Sequence, residues 1–278
     1  MMPNIAGSII LFNPDSAVNQ NIETYLANIG HLYIFDNSPA QSIQLPEAIK
    51  NKASYYFNGA NWGISKCLNK ALELAQKDGY EYLLTMDQDS SFNNEEFKDY
   101  LYLVKEYEQK TADITIGCYG VSTNTQPKND SVLTDQLLIT SGSILNIPVA
   151  LNLGGFDEKL FIDFVDHEFC LRLFANNHHT VLFQKIQLVH EFGTPKKVLS
   201  PLLKKENRKI YNPQRIYFMV RNFFYIKKRY HHLIKDKNLP FSITNILKNA
   251  LLYNGEFVKT ASSILKGYYD FLFKRMGG

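Results

Sequence analysis

Short apolar runs alternate with amphipathic stretches along the first ninety residues. Residues 7–12 (GSIILF) are a continuous apolar run closed by Asn13-Pro14, the pattern of a buried strand and its turn. Residues 17–29 carry Val18, Ile22, Tyr25, Leu26 and Ile29 at helical spacing, with Gly30 as the stop. A second strand is expected at 32–35, ended by Asp36-Asn37-Ser38-Pro39, and a third at 55–57, ended by Asn58-Gly59. Residues 61–75 place Ile64, Leu68, Ala71, Leu72 and Ala75 on one helical face, and a fourth strand follows at 82–86. Strands alternating with helices predict an α/β fold with βαβ units and a mostly parallel sheet. Ligands of such sheets bind beyond the carboxyl ends of the strands.

The pattern is less regular after the fourth strand. A polar, acidic helix is expected at 93–108, with an Asn cap and Glu95-Glu96 in its first turn. Apolar runs at 114–121, 144–147 and 181–183 read as strands, separated by a polar loop at 123–130 and by Ser141-Gly142-Ser143. Residues 161–174 (FIDFVDHEFCLRLF) hold Asp163, Asp166 and Glu168 ahead of Arg172, and 188–193 bring His190. From residue 194 the chain changes character: a basic, loop-like stretch at 196–209, an aromatic one at 214–226, a cluster KKRYHH, then a helical pattern from Pro240 to about Lys274. On one continuous helix, Lys248, Lys259 and Lys266 would fall within about 20° of each other, with Gly255 and Gly267 as candidate breaks.

Charge sharpens that division. The net charge of +3 hides 12 Lys+Arg against 23 Asp+Glu in residues 1–195, and 18 against 4 in residues 196–278. A basic tail of this kind suits an anionic partner. With an apolar stripe beside its lysines it suits an anionic membrane surface, and nucleic acid is not expected because no reading module is evident. Three widely spaced cysteines, no signal-peptide pattern and no long apolar stretch point to a cytoplasmic protein, at most peripheral on the inner face of the cell membrane. The expected organisation is a catalytic domain over 1–212 and a helical appendage over 213–278.

Candidate chemistry concentrates at strand ends. Asp87 and Asp89 follow the apolar strand directly, and carboxylates so placed can hold Mg²⁺ or Mn²⁺ together with a substrate diphosphate. His190, after the last strand, is a candidate third ligand that would favour Mn²⁺. Glu168 and Arg172 are four apart and suit a helix ion pair, which leaves Asp166 as the carboxylate that could accept a proton from a hydroxyl. Neither G-x-G-x-x-G nor a P-loop motif occurs, against a dinucleotide or P-loop fold.

The order of motifs over residues 5–230 resembles that of family-2 inverting glycosyltransferases. It runs Asn13-Pro14, FDNS (35–38), N-x-x-N-x-G-I (58–64), MDQDS (86–90), SGS (141–143), GGFDE-x-LFIDFVDHEFCLR (154–172), H-x-x-G (190–193) and R-I-Y-x-x-x-R-N (215–222). Gln88 at the centre of the acidic motif is similar to the rhamnosyltransferase branch. The resemblance implies a GT-A fold, a mixed and mostly parallel sheet flanked by helices. It implies a donor side formed by Phe12, Asn13, Asp36, Asn61, Gly63, Ile64 and Asp87, joined by Arg215, Tyr217 and Arg221. It implies metal ligands Asp87, Asp89 and His190, the catalytic base Asp166, and acceptor contacts at Ser141, Gly142, Asp163 and His167.

The function so implied is transfer of a sugar, L-rhamnose from dTDP-rhamnose, onto a cell-surface glycan or lipid-linked acceptor, with a homodimer as a compatible assembly. A UDP-hexose transferase of the same fold is the alternative within the class. Outside it stand a non-catalytic nucleotide-sugar or glycan-binding protein and a metal-dependent nucleotidyltransferase or phosphatase.

Overall fold

A computed structural model describes residues 3–41, 43–57, 59–93, 95–124, 128–190, 196–199, 205–208, 210–236, 242–253 and 256–277. Asn58, Gly193, Pro240 and Gly255, each singled out above, lie outside the described residues. The chain divides into two compact units, Met1–Asp157 with Asp166–His190, and Glu158–Val165 with Glu191–Gly278.

The first unit opens with the four strands and the two longer helices that the apolar pattern predicts. Strands β1 (Ile5–Leu11), β2 (Leu32–Asp36), β3 (Ala53–Phe57) and β4 (Tyr82–Asp87) pair in parallel, with α1 (Ala17–Leu26), α2 (Glu47–Lys50) and α3 (Ile64–Lys77) as connections. Strands covered on both faces need continuous apolar runs, and all five residues of β2 are buried. The one-sided stripe of α3 buries Cys67, Leu68, Ala71, Leu72 and Ala75.

Beyond β4 come β5 (Ser90–Phe92), α4 (Glu96–Lys110), β6 (Ile116–Thr123), β7 (Val132–Thr134), β8 (Ser143–Asn146), α5 (Ile147–Asn152), α6 (Val165–Ala175) and β9 (His179–His190). The sheet runs β3-β2-β1-β4-β8-β6-β9-β5, with β7 also on β9. The β4–β8, β8–β6, β9–β5 and β9–β7 pairs are antiparallel, so the sheet is mixed. A core of Ile9, Leu11, Ile22, Leu84, Phe92, Phe97, Tyr100 and Phe183 lies on the side of α1 and α4.

Several expectations are corrected here. Helix α4 starts at Glu96 rather than 93, with Glu95 at its cap and no capping side-chain bond. Strands β5 and β7 have no signature in the sequence, because three residues are too few to show a period. The basic stretch at 196–209, expected as loop, forms an antiparallel pair of β10 (Lys196–Leu199) and β11 (Lys205–Arg208).

In the second unit, α7 (Pro213–Arg229) begins where Asn212 caps the Arg215 N–H and Pro213 opens the first turn. Then come α8 (His231–Asp236), α9 (Thr244–Tyr253) and α10 (Phe257–Leu272). The helical pattern to Lys274 is therefore two helices, with the candidate break Gly255 in the interval between them, and the stripe of Lys248, Lys259 and Lys266 does not exist as one line. Lys259 pairs with Glu256, and Lys266 pairs with Asp270 at 2.7 Å. Gly267 does not break α10. A Cβ there would lie 2.6 Å from the Tyr217 carbonyl oxygen, so glycine lets α10 approach α7 closely.

Candidate functional site

Parallel pairing sets the exits of β1, β2 and β4 side by side, with Ile10 opposite Asp87 and Leu11 opposite Asp36. The polar residues after these strands therefore share one rim. Asn13 takes the left-handed conformation (φ 47°), and its N–H donates to the Ser38 hydroxyl at 2.7 Å. Asn37 accepts from the Trp62 N–H at 3.1 Å and donates to the Gly63 carbonyl, binding the loop before α3 to the end of β2. Asn61 turns back on the same loop and accepts from the Gly63 N–H at 2.9 Å. Gly63 has φ 77°, a conformation that favours glycine. Ile64 follows, half-buried, at the start of α3.

Asp36 is placed differently from a ligand-facing acid. It is 1% exposed; one oxygen accepts from the Ser38 N–H at 2.9 Å and the other from the Tyr55 hydroxyl. Burial first, and the bond to Asp36 second, push the Tyr55 phenol up. The carboxylate shapes the rim from within. Nearby, burial pushes the Cys67 thiol up to about 11, so it is an inert core thiol. Phe12, by contrast, is 50% exposed at the end of β1.

The acidic motif turns a corner. Asp87 ends β4, Gln88 and Asp89 make the turn, and Ser90 opens β5. Strand β5 pairs with β9 so that Ser90 stands opposite His190, one hundred residues on. The Ser90 hydroxyl lies 2.5 Å from His190 Nδ1, and Asp89 Oδ1 lies 3.6 Å from the same atom. Asp87, Asp89 and His190 offer ligand atoms that all lie within 4.8 Å of one another. Two carboxylates and a largely buried imidazole fit Mn²⁺ in chemistry and spacing, and Mg²⁺ through the carboxylates.

Two further residues hold this corner in ways that their positions in the sequence do not reveal. The Gln88 side chain accepts from the Phe12 N–H at 2.8 Å and donates to the Phe12 carbonyl at 3.3 Å. Asn21 of α1 donates to the Gln88 carbonyl at 2.9 Å. The middle residue of the motif thus locks the exit of β1 to that of β4. Ser141 steadies the corner from the other side. Its hydroxyl, on a residue only 2% exposed, accepts from the Asp87 N–H at 3.0 Å. Gly142 donates its N–H to the Thr85 carbonyl at 2.8 Å. Ser141 and Gly142, both expected at the acceptor, brace β4.

Asp166 sits half-buried in the first turn of α6, where one of its oxygens accepts from the His167 N–H at 2.8 Å. Burial first, with the Asp166 charge a lesser cause, pushes the Cys118 thiol up to about 12. Further into α6, Glu168 is wholly buried and pairs with Arg172 at 2.9 Å, as the spacing predicts. Arg172 also donates to the Leu153 and Gly155 carbonyls, both at 2.6 Å.

Four of the expected site residues lie in the second unit. Asp163 and Phe164 are both left-handed (φ 61° and 63°). That strained pair is held by Asn222, which donates to the Ile162 and Asp163 carbonyls at 2.8 and 3.0 Å. The Asp163 carboxylate accepts from Arg215 Nη2 at 2.9 Å and Nε at 3.1 Å. Tyr217 donates to Asp270 at 2.8 Å. Arg221 is 1% exposed and donates to the Lys159 carbonyl at 3.0 Å and to the Gly277 carbonyl. Tyr217 and Arg221, expected near the donor, tie this unit together. A buried guanidinium needs such partners.

The family model described as glycosyl transferase family 2 matches residues 8–161. A dTDP-rhamnosyl transferase RfbF of Shigella flexneri is 26% identical over 261 residues, covering 87% of each chain. Among solved structures, S. aureus TarS 1-349 in complex with UDP-GlcNAc is 15% identical with a TM-score of 0.52, over 96% of this chain and 73% of that one. GalNAc-T7 with UDP, GalNAc and Mn²⁺ is 10% identical with a TM-score of 0.55, over 98% of this chain and 56% of that one. Such distant structural likeness speaks for the fold alone, which is GT-A as expected. The match over residues 8–161 takes in β1, β4 and the Asp87-Gln88-Asp89 corner; the chain belongs to glycosyl transferase family 2 and is a glycosyltransferase.

Proposed function

We propose that this glycosyltransferase moves L-rhamnose from dTDP-rhamnose onto a cell-surface glycan or lipid-linked acceptor, inverting the anomeric carbon, at the inner face of the cell membrane. The observation that carries the reading is the meeting of Asp87, Asp89 and His190 at the corner between β4 and β9. These residues would hold Mn²⁺ or Mg²⁺, whose chemistry when bound is to neutralise charge on a leaving diphosphate. The rim of Phe12, Asn13, Asn61, Gly63 and Ile64 receives the base and ribose, with Phe12 offering an exposed aromatic face.

Asp166 takes the proton of the acceptor hydroxyl as the oxygen forms its bond to the anomeric carbon and the bond to the diphosphate breaks. One displacement from the opposite face inverts that carbon without a covalent enzyme intermediate. Asp163 and His167 are assigned to the acceptor side and Arg215 to the donor side, with Asp163 and Arg215 acting as a bonded pair.

The dTDP-sugar donor is supported by the RfbF relative and by Gln88, and a UDP-hexose is the competing donor. The test is a thermal-shift screen of dTDP-rhamnose, UDP-glucose and UDP-galactose with and without Mn²⁺, followed by turnover of any stabilising donor. Metal-dependent stabilisation by dTDP-rhamnose is expected. Stabilisation by a UDP-hexose alone would transfer the assignment to the hexose.

A further inference from the structure

The outward face of α10 has no cover among the described residues, although it is apolar. Its opposite face buries Thr260, Gly267 and Asp270. At about 100° per residue, Phe257, Val258, Leu265, Tyr268, Tyr269 and Leu272 then occupy one arc of about 120°. All six are exposed, Val258 at 78% and Leu265 at 71%. Lys259 and Lys266 flank this arc, about 60–80° beyond its edge. Their side chains stay 72% and 64% exposed even while paired with Glu256 and Asp270.

We propose that this face of α10 is the surface by which the protein lies on an anionic lipid bilayer, apolar arc inserted and lysine flank at the headgroups. Charge decides between the two occupants that an exposed apolar helix face invites. Residues 196–278 carry 18 Lys+Arg against 4 Asp+Glu, so the acids present can neutralise few of the bases. A second copy would bring the same excess against itself, whereas anionic headgroups attract it. No helix among the described residues is long and apolar enough to cross a membrane, which agrees with an in-plane helix. The inference deepens the membrane-facing part of the proposed function and is independent of which sugar is carried.

The experiment is co-sedimentation of the full chain with vesicles of phosphatidylcholine alone or with phosphatidylglycerol added. Binding is expected only with the anionic lipid and should weaken as salt rises. The double variant Val258→Gln/Leu265→Gln, at surface positions that leave the melting temperature unchanged, should lower partitioning at least about tenfold. Lys259→Gln and Lys266→Gln should lower it about fivefold each. Absence of binding to anionic vesicles, or equal binding by the double variant, would overturn the proposal. So would a dimer in sedimentation that the double variant dissolves, since that assigns the face to a second copy. Donor binding measured on the same samples separates the readings: vesicle binding without a dTDP-rhamnose response refutes the donor and leaves the surface standing.

Discussion

Gln88 offers the sharpest test of how the rim is built. Its side chain makes two hydrogen bonds to the Phe12 backbone, at 2.8 and 3.3 Å. A typical bond contributes about 0.5–1.5 kcal/mol net, and the longer one belongs at the low end, so the pair is worth about 1–2 kcal/mol. Gln88→Leu removes both bonds at similar size. Gln88→Glu keeps an acceptor for the Phe12 N–H but turns an anionic oxygen toward the Phe12 carbonyl, and adds charge beside Asp87 and Asp89. If the lock serves to hold Phe12 for the donor, that energy appears as a rise of about 5–30-fold in donor KM. The leucine variant should change kcat little, because the amide touches no reacting atom. The glutamate variant should show a larger KM effect than leucine. Thermal unfolding supplies the control, where a loss of about 1–2 kcal/mol lowers Tm by roughly 2–8 °C in a unit of this size. A Tm loss with donor KM unchanged in both variants would show that the lock is a stability feature only, and the positioning argument would fail.

The remaining predictions concern the metal corner, the base and the buried ion pair. Asp89→Ala should abolish the Mn²⁺ dependence of donor binding, with a loss beyond the 10–100-fold typical of changes to residues that only support metal ligands, about 100-fold or more by calorimetry; equal affinity with and without Mn²⁺ in the wild type would remove the metal role. Asp166→Asn should preserve donor affinity while kcat falls about 10²–10⁴-fold, and near-normal turnover would exclude it as the base. Glu168→Ala strands the Arg172 charge beside the Leu153 and Gly155 carbonyls and should destabilise the protein by about 3–5 kcal/mol in urea unfolding. A change below about 1 kcal/mol would mean that water reaches Arg172 easily.

Much of the fold is legible locally. The alternation of apolar runs with helical stripes locates β1, β2, β3 and β4 and the helices α1 and α3, because each period is written within ten or so consecutive residues; the four-residue α2 is too short to show one. The i,i+4 pairing of Glu168 with Arg172 is local in the same sense. The placement of Asp87 and Asp89 at a strand end follows from LLTM alone. The C-terminal helical pattern is legible in the same way: Asn254-Gly255-Glu256 interrupts its apolar period, and α9 ends and α10 begins on either side of that interval.

Tertiary structure decided the rest, and the reason is register. His190 becomes a partner of Asp87 and Asp89 only because three residues of β5 pair with the far end of β9, a contact spanning one hundred positions that no window of sequence contains. The same holds for Gln88 and Phe12, seventy-six residues apart, and for Ser141 under the Asp87 N–H. Burial likewise separates residues whose types alone look equivalent. Asp36 and Arg221 carry charges fit for a ligand, but at 1% exposure each they are bonded within their own units. By itself the sequence determined which chemistry this chain has at its strand ends. Folding determined which of those groups meet, because sheet pairing, not chain order, makes them neighbours.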